Sequence, residues 1–203
     1  MKPEIIVVGA SLGGLRALQT VLKALPRLFP VPVVIVQHRD KDARDTLAGL
    51  LAESTPLSVV EPDDKERIEP GRVYLAAPDY HLLIDRDHFA LSTDAPILFA
   101  RPSIDLLFES AAEVYAQRAV GVILTGANSD GARGLAAIKE RGGLTIVQDP
   151  TTADARAMPD AAIATRSVDM ILPLAEIGPV LAKLGRVVGQ DALWVRGRKG
   201  RRT

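Results

Sequence analysis

Ser11 lies in the turn Gly9-Ala10-Ser11-Leu12-Gly13-Gly14, directly after the apolar run Ile5-Ile6-Val7-Val8 and directly before a helical pattern. Strand, tight turn, hydroxyl and helix in that order lift a nucleophile-capable oxygen above a sheet edge, because the glycines let the backbone bend hard. Amides at the amino end of the following helix lack helical partners and favour developing negative charge. A serine hydroxyl is a weak nucleophile at neutral pH and needs a base. His38 follows the run Val33-Val34-Ile35-Val36 after Gln37, and Asp130 follows Ala119 to Leu124 through Thr125-Gly126-Ala127-Asn128-Ser129. Serine, histidine and aspartate are the set needed for acyl transfer. The imidazole takes the hydroxyl proton and returns it to the leaving alcohol, while the carboxylate fixes the ring's tautomer. The backbone amides of Leu12 and Ala127 are the candidate oxyanion donors, one such donor being worth about 3 kcal/mol.

Each residue also has a plainer reading. Ser11 could cap the next helix, His38 could be a half-buried polar group at a strand end, and Asp130 could cap the helix beginning at Gly131. What favours chemistry is joint placement, since all three come just past the carboxyl ends of predicted parallel strands, and those ends share one edge. His81 and His88 read as structural. No His, Asp or Glu cluster has metal-ligand spacing, so no metal is expected.

The elements that must position these residues alternate. Strands are predicted at Ile5–Val8, Val33–Val36, Leu57–Val60, Arg72–Ala76, Ala119–Leu124, Leu144–Val147 and Met170–Leu172. Helices are predicted at Leu12–Leu25 (ended by Pro26), Ala43–Glu53, Pro102–Ala116, Gly131–Arg141 (stopped by Gly142-Gly143) and Ala175–Leu184. His81–Asp85 and His88–Leu91 flank Arg86-Asp87 as an antiparallel hairpin. Buried strands alternating with helices imply an α/β class. The architecture is a three-layer, doubly wound, mostly parallel sheet with helices on both faces. Residues 1–185 read as one catalytic domain, and 186–203 as a basic tail expected to be mobile.

Composition limits the alternatives. At 203 residues, with 47% hydrophobic and 25% charged residues, the chain can bury a real core and is not of disordered type. Its 4% aromatic content makes that core aliphatic, and the lack of cysteine excludes disulfides and a thiolate nucleophile. No apolar run approaches membrane-spanning length. The strand at Ile5 leaves no room for a signal peptide, so a cytoplasmic protein is expected. From Arg186 onward six basic residues against Asp191 give +5, and since the whole chain is neutral the body carries −5. That balance gives no support for a nucleic-acid-binding surface on the domain.

Several segments, in order, resemble the catalytic domain of the CheB family of chemotaxis protein-glutamate methylesterases. They are Gly9 to Gly14, Val36-Gln37-His38, Ala77-Pro78-Asp79-Tyr80-His81-Leu82, Arg101 to Phe108, Leu124-Thr125-Gly126 through Asp130-Gly131-Ala132, Gln148-Asp149-Pro150, and Met158-Pro159. The resemblance runs from Ile5 to about Leu184 and carries the family's catalytic serine, histidine and aspartate onto Ser11, His38 and Asp130. It implies hydrolysis of glutamate methyl esters on methyl-accepting chemotaxis receptors with release of methanol, deamidation of receptor glutamines as a second activity, and no cofactor. Leu12 departs from the family's usual threonine, and Ala127-Asn128 from its Met-Gly; asparagine is tolerable there because it adopts left-handed conformations. Many members carry a receiver domain ahead of the catalytic one. Here the pattern starts at residue 4, so the expectation is a free-standing esterase, open or controlled by a separate regulatory protein.

Three other readings compete. A nucleotide-binding domain lacks both the G-x-G-x-x-G spacing and a P-loop lysine. An ordinary α/β-hydrolase orders its triad serine, acid, histidine and places strands ahead of the elbow, unlike this chain. A catalytically weak or inactive CheB-like interaction module stays open on the altered turn residues.

Overall fold

The computed structural model describes the backbone of residues 2–39 and 47–197, and side chains as far as residue 186. In chain order the elements are β1 (Ile5–Ala10), α1 (Gly14–Lys23), β2 (Val33–Gln37), α2 (Leu47–Ala52), β3 (Ser58–Val60) and β4 (Arg72–Leu75). Then come β5 (His81–Asp85), β6 (His88–Ser92), α3 (Ile104–Tyr115), β7 (Ala119–Ile123) and α4 (Ala132–Glu140). The chain closes with β8 (Leu144–Gln148), α5 (Ala157–Ala164), β9 (Met170–Leu172) and α6 (Leu174–Gly197).

Seven strands form one parallel sheet in the order β3-β4-β2-β1-β7-β8-β9, and β5-β6 pair separately as an antiparallel hairpin. This is the predicted α/β architecture. The apolar strands are buried on both faces, which is why they read as continuous runs rather than alternating ones. Along β1 the residues divide by face. Ile6 and Val8 join the core under α1 and α6, whereas Ile5 and Val7 join the core shared with α3, α4 and the hairpin. The chain winds from β1 outward through β2 and β4, then returns to β7 on the other side of β1. The sheet's topological switch point therefore lies at β1, where open α/β sheets form their crevice.

Three elements differ from expectation. Helix α1 starts at Gly14 rather than Leu12, because Leu12 and Gly13 belong to the turn. Helix α5 has no counterpart among the predicted elements: Ala-Met-Pro-Asp-Ala-Ala-Ile-Ala has no apolar stripe at helical spacing, and its proline sits in the first turn, where a missing N–H costs nothing. Helix α6 continues to Gly197, well past Leu184, so the expected boundary at 185 falls within a helix. Residues 43–46 of the predicted second helix and residues 198–203 of the tail lie outside the described residues.

Helices α3 and α4 pack closely at their amino ends, and Gly134 permits it. A Cβ there would come within 2.5 Å of Phe108 Cβ and 2.8 Å of the Asp105 carbonyl oxygen. Gly134→Ala is therefore expected to lower stability by about 1–3 kcal/mol through overpacking. A urea titration reads this as a reduced midpoint at unchanged slope; an unshifted midpoint would contradict the close approach.

Candidate active site

Ser11 follows the last residue of β1, and its N–H donates to Thr125 O at 2.9 Å, two residues past the last β1–β7 pair, Gly9 with Ile123. The turn closes when Gly14 N donates to Ser11 O at 2.8 Å. Gly13 adopts φ 79°, and a Cβ there would lie 2.6 Å from Asp154, so this corner excludes any other residue. Two polar side chains pin the turn's carbonyls. Gln37 Nε2 donates to Ser11 O at 2.8 Å and to His38 O at 2.9 Å, while Thr125 Oγ1 donates to Leu12 O at 2.9 Å. Ser11 is no cap, because Gly13 is the N-cap of α1 and that cap has no side-chain hydrogen bond. Ser11 Oγ makes no hydrogen bond among the described residues. It lines a pocket of about 570 Å³ with Leu12, Gly13, Gly14, Gln37 and His38.

His38 lies beside Ser11. Strands β1 and β2 pair in parallel with Ala10 opposite Gln37, and His38 N donates to Ala10 O at 3.0 Å. The ring's Nε2 is 2.9 Å from Asp130 Oδ2. An ionised carboxylate only accepts, so Nε2 carries the proton and Nδ1 is the basic nitrogen. Asn128 Nδ2 stands 3.5 Å from Nδ1, while Asn128 Oδ1 accepts from Asp130 N at 3.2 Å, which fixes the amide's orientation.

Asp130 is fully buried and does not cap α4, whose N-cap is Gly131. Its carboxylate faces the amino end of α3 instead. Oδ1 accepts from Ser103 Oγ at 3.0 Å and Asp105 N at 3.0 Å, and Oδ2 accepts from Ile104 N at 2.7 Å as well as from His38. Burial alone would raise this carboxyl; the His38 hydrogen bond and the Ile104 and Asp105 amides outweigh it, so it sits below the usual carboxylate range. Asp105 makes the reciprocal contact, its Oδ1 accepting from Gly131 N at 2.9 Å and Gly134 N at 2.8 Å at the start of α4. Burial pushes Asp105 upward, the Gly134 amide opposes it, and the neighbouring Asp130 charge adds to the rise.

The structure thus joins His38 to Asp130 and sets Ser11 in the same pocket as His38. The amides of Leu12 and Ala127 donate to no acceptor among the described residues, and both residues are exposed. Asn128 differs from expectation: its φ is not positive, and its value lies in the side-chain bridge between Asp130 N and His38. Sequence reasoning assigns no role to Gln37, Thr125, Ser103 or Asp105. All four stand in segments that carry the family resemblance, which is the signal available for them. His81, read as structural, is fully buried and accepts from Ser103 N through Nδ1 at 3.1 Å, beside the Asp130 cluster.

The comparisons with known proteins show the family and the fold. The family described as CheB methylesterase matches residues 6–181, and the chain belongs to that family. A putative protein-glutamate methylesterase/protein-glutamine glutaminase of Leptospira interrogans is 48% identical over 185 residues, covering 91% of this chain and 96% of that one. A protein-glutamate methylesterase/protein-glutamine glutaminase of Anaeromyxobacter dehalogenans is 43% identical over 90% of this chain and 54% of its own length. The crystal structure of the Thermotoga maritima CheB methylesterase catalytic domain superposes with a TM-score of 0.86 at 35% identity, covering 91% of this chain and all of that one.

The two aspartates give opposite pH signatures. Asp130, lowered from an unfolded value near ~3.9, stabilises the fold above that value, and the contribution is lost as pH falls through the lower folded value. Asp105, raised, costs stability above its folded value and regains it on protonation. In urea unfolding between about pH 5 and pH 2, Asp130→Asn should flatten the acid-side loss relative to wild type. Asp105→Asn, whose amide oxygen still accepts from Gly131 and Gly134, should steepen it. Shifts of the same sign in both variants would refute the assignment.

Proposed function

We propose that this chain is a serine esterase that hydrolyses glutamate methyl esters on methyl-accepting chemotaxis receptors, with Ser11, His38 and Asp130 as its catalytic residues. One observation carries the site reading. His38 is hydrogen-bonded to an ionised, buried Asp130 and stands in register beside Ser11 at the sheet's switch point. Neutral His38 accepts the Ser11 proton at Nδ1 as Oγ attacks the ester carbonyl. Negative charge gathers on the former carbonyl oxygen, where the Leu12 and Ala127 amides are the available donors. The imidazolium, stabilised by Asp130, then gives its Nδ1 proton to the departing methoxide, and methanol leaves an acyl-Ser11 ester. Water, deprotonated by the same nitrogen, attacks that ester; the proton returns to Oγ, and a free glutamate side chain is released.

The same sequence with a carboxamide expels ammonia, so glutamine deamidation follows from one site, in line with the double names of the relatives. The mechanism needs no cofactor. No helix among the described residues is long and apolar enough to cross a membrane. That accords with a cytoplasmic enzyme meeting its receptors as a separate partner. An ionised acid bound to the histidine favours the enzyme over an inactive interaction module, which has no need of it.

Methanol release from a methylated receptor fragment tests this directly. Ser11→Ala should lower kcat by roughly three orders of magnitude or more while leaving the unfolding transition in place. Unchanged methanol release by this variant would remove Ser11 from the chemistry.

A further inference from the structure

A second groove, of about 760 Å³, is lined by His38 and Asn128 together with Asp79, Arg101, Leu98 and Phe99. These last two form the tip of a tight hairpin in which Ile97 N donates to Ala100 O at 3.0 Å and Ala100 N to Ile97 O at 2.8 Å. Leu98 has φ 47° and Phe99 φ 65°, so both central residues are left-handed, as in a type I′ turn. That turn favours Asn-Gly, and two bulky apolar residues there are strained. Neither is compensated by burial, since Leu98 is 49% exposed and Phe99 fully exposed.

The tip is nonetheless held firmly. Arg101 Nη1 donates to Thr93 O at 2.8 Å and Asp94 O at 3.0 Å, and its Nη2 meets Asp79 Oδ1 at 2.5 Å. His81 Nε2 donates to Ala95 O at 3.2 Å from a fully buried position. A rigid base thus presents a strained, water-exposed apolar tip on a groove that His38 also lines.

We propose that the Leu98–Phe99 tip is the docking point for the protein substrate, receiving an apolar side chain of the polypeptide that bears the esterified glutamate. The inference rests on the proposed esterase function and names how that site selects its substrate. The groove shares His38 with the pocket that Ser11 lines, so a chain that delivers a glutamyl ester to Ser11 and continues past His38 meets the tip. A second copy of this chain fits less well. An aromatic side chain offers about 150–250 Å², so the two residues fall far short of the ~800 Å² per partner of a stable interface. A contact of that size suits a transient substrate.

The test compares two substrates, a glutamyl-methylated receptor fragment and the small ester N-acetylglutamate γ-methyl ester. The double substitution Leu98→Asn, Phe99→Gly installs the dipeptide that this turn favours, so folding is preserved or improved. The ratio of kcat/KM on the receptor fragment to that on the small ester should fall about tenfold or more, carried by KM. A ratio unchanged within twofold, or equal losses on both substrates, overturns the proposal. So does a wild-type dimer in sedimentation that the double variant dissociates, which would make a second copy the occupant. If wild type cleaves the small ester but not the receptor fragment, the receptor reading fails and the docking proposal falls with it. Cleavage of both substrates by wild type with no selective loss in the variant sinks the docking proposal alone.

Discussion

A carboxylate buried as completely as Asp130 stays ionised only if other groups replace the water it has lost, and here the amino end of a neighbouring helix does so. The first-turn amides of α3 and the Ser103 hydroxyl supply donors that the helix cannot use internally, and His38 completes the set. Asp105, on α3, does the same for α4 by accepting from Gly131 and Gly134. The two helices therefore exchange carboxylates, each start held by the other's aspartate. The exchange is unequal. Burial raises both, but Asp130 has the imidazole as well as amides and is lowered, whereas at Asp105 burial, with the nearby Asp130 charge added, outweighs the Gly134 amide and the group is raised. The close approach at Gly134 brings the two helix starts together, where this exchange takes place.

Strand order brings the three candidate residues to one edge of the sheet. The sequence β2-β1-β7 places the serine strand between the histidine strand and the strand leading to the aspartate. Neighbouring strands lie about 4.8 Å apart, so the acid is about two strand spacings from the backbone of His38. Nε2, the ring nitrogen farther from the backbone, is the one that meets Asp130, and Nδ1 has Asn128 Nδ2 at 3.5 Å. This reverses the usual assignment, in which Nδ1 meets the acid. The proposed mechanism accommodates this, because either nitrogen can be the base once the other donates to a carboxylate.

The sheet was legible in the chain because its strands are buried on both faces and stand out as apolar runs, and because glycine and proline mark where they end. Ser11, His38 and Asp130 were legible as candidates because strand ends of a parallel sheet converge. What escaped was non-local. Asp130 stands directly before α4 and reads as its cap, but donors far away in sequence at α3 compete for the same oxygens and win. Asn128 looks like a stand-in for a flexible residue, whereas its side chain bridges Asp130 to His38. Helix α5 carries too little apolar periodicity to declare itself, and it forms on packing: Met158 N donates to Gly126 O at 2.9 Å, tying the helix start to the turn before Asp130.

The substrate itself imposes a division of labour between floor and rim. A methyl ester differs from the carboxylate it becomes by one methyl group and a full negative charge, whereas one esterified glutamate presents the same group as any other. The floor of the site, built from strand ends and buried polar groups, can therefore recognise an ester but cannot choose one glutamate among many. That choice must rest on the polypeptide around the ester, and so on residues at the rim. Leu12 beside Ser11, and Leu98 and Phe99 on the second groove, are large apolar side chains exposed there. Under the docking proposal, an apolar segment of the substrate protein covers them and the apolar area removed from water contributes to binding.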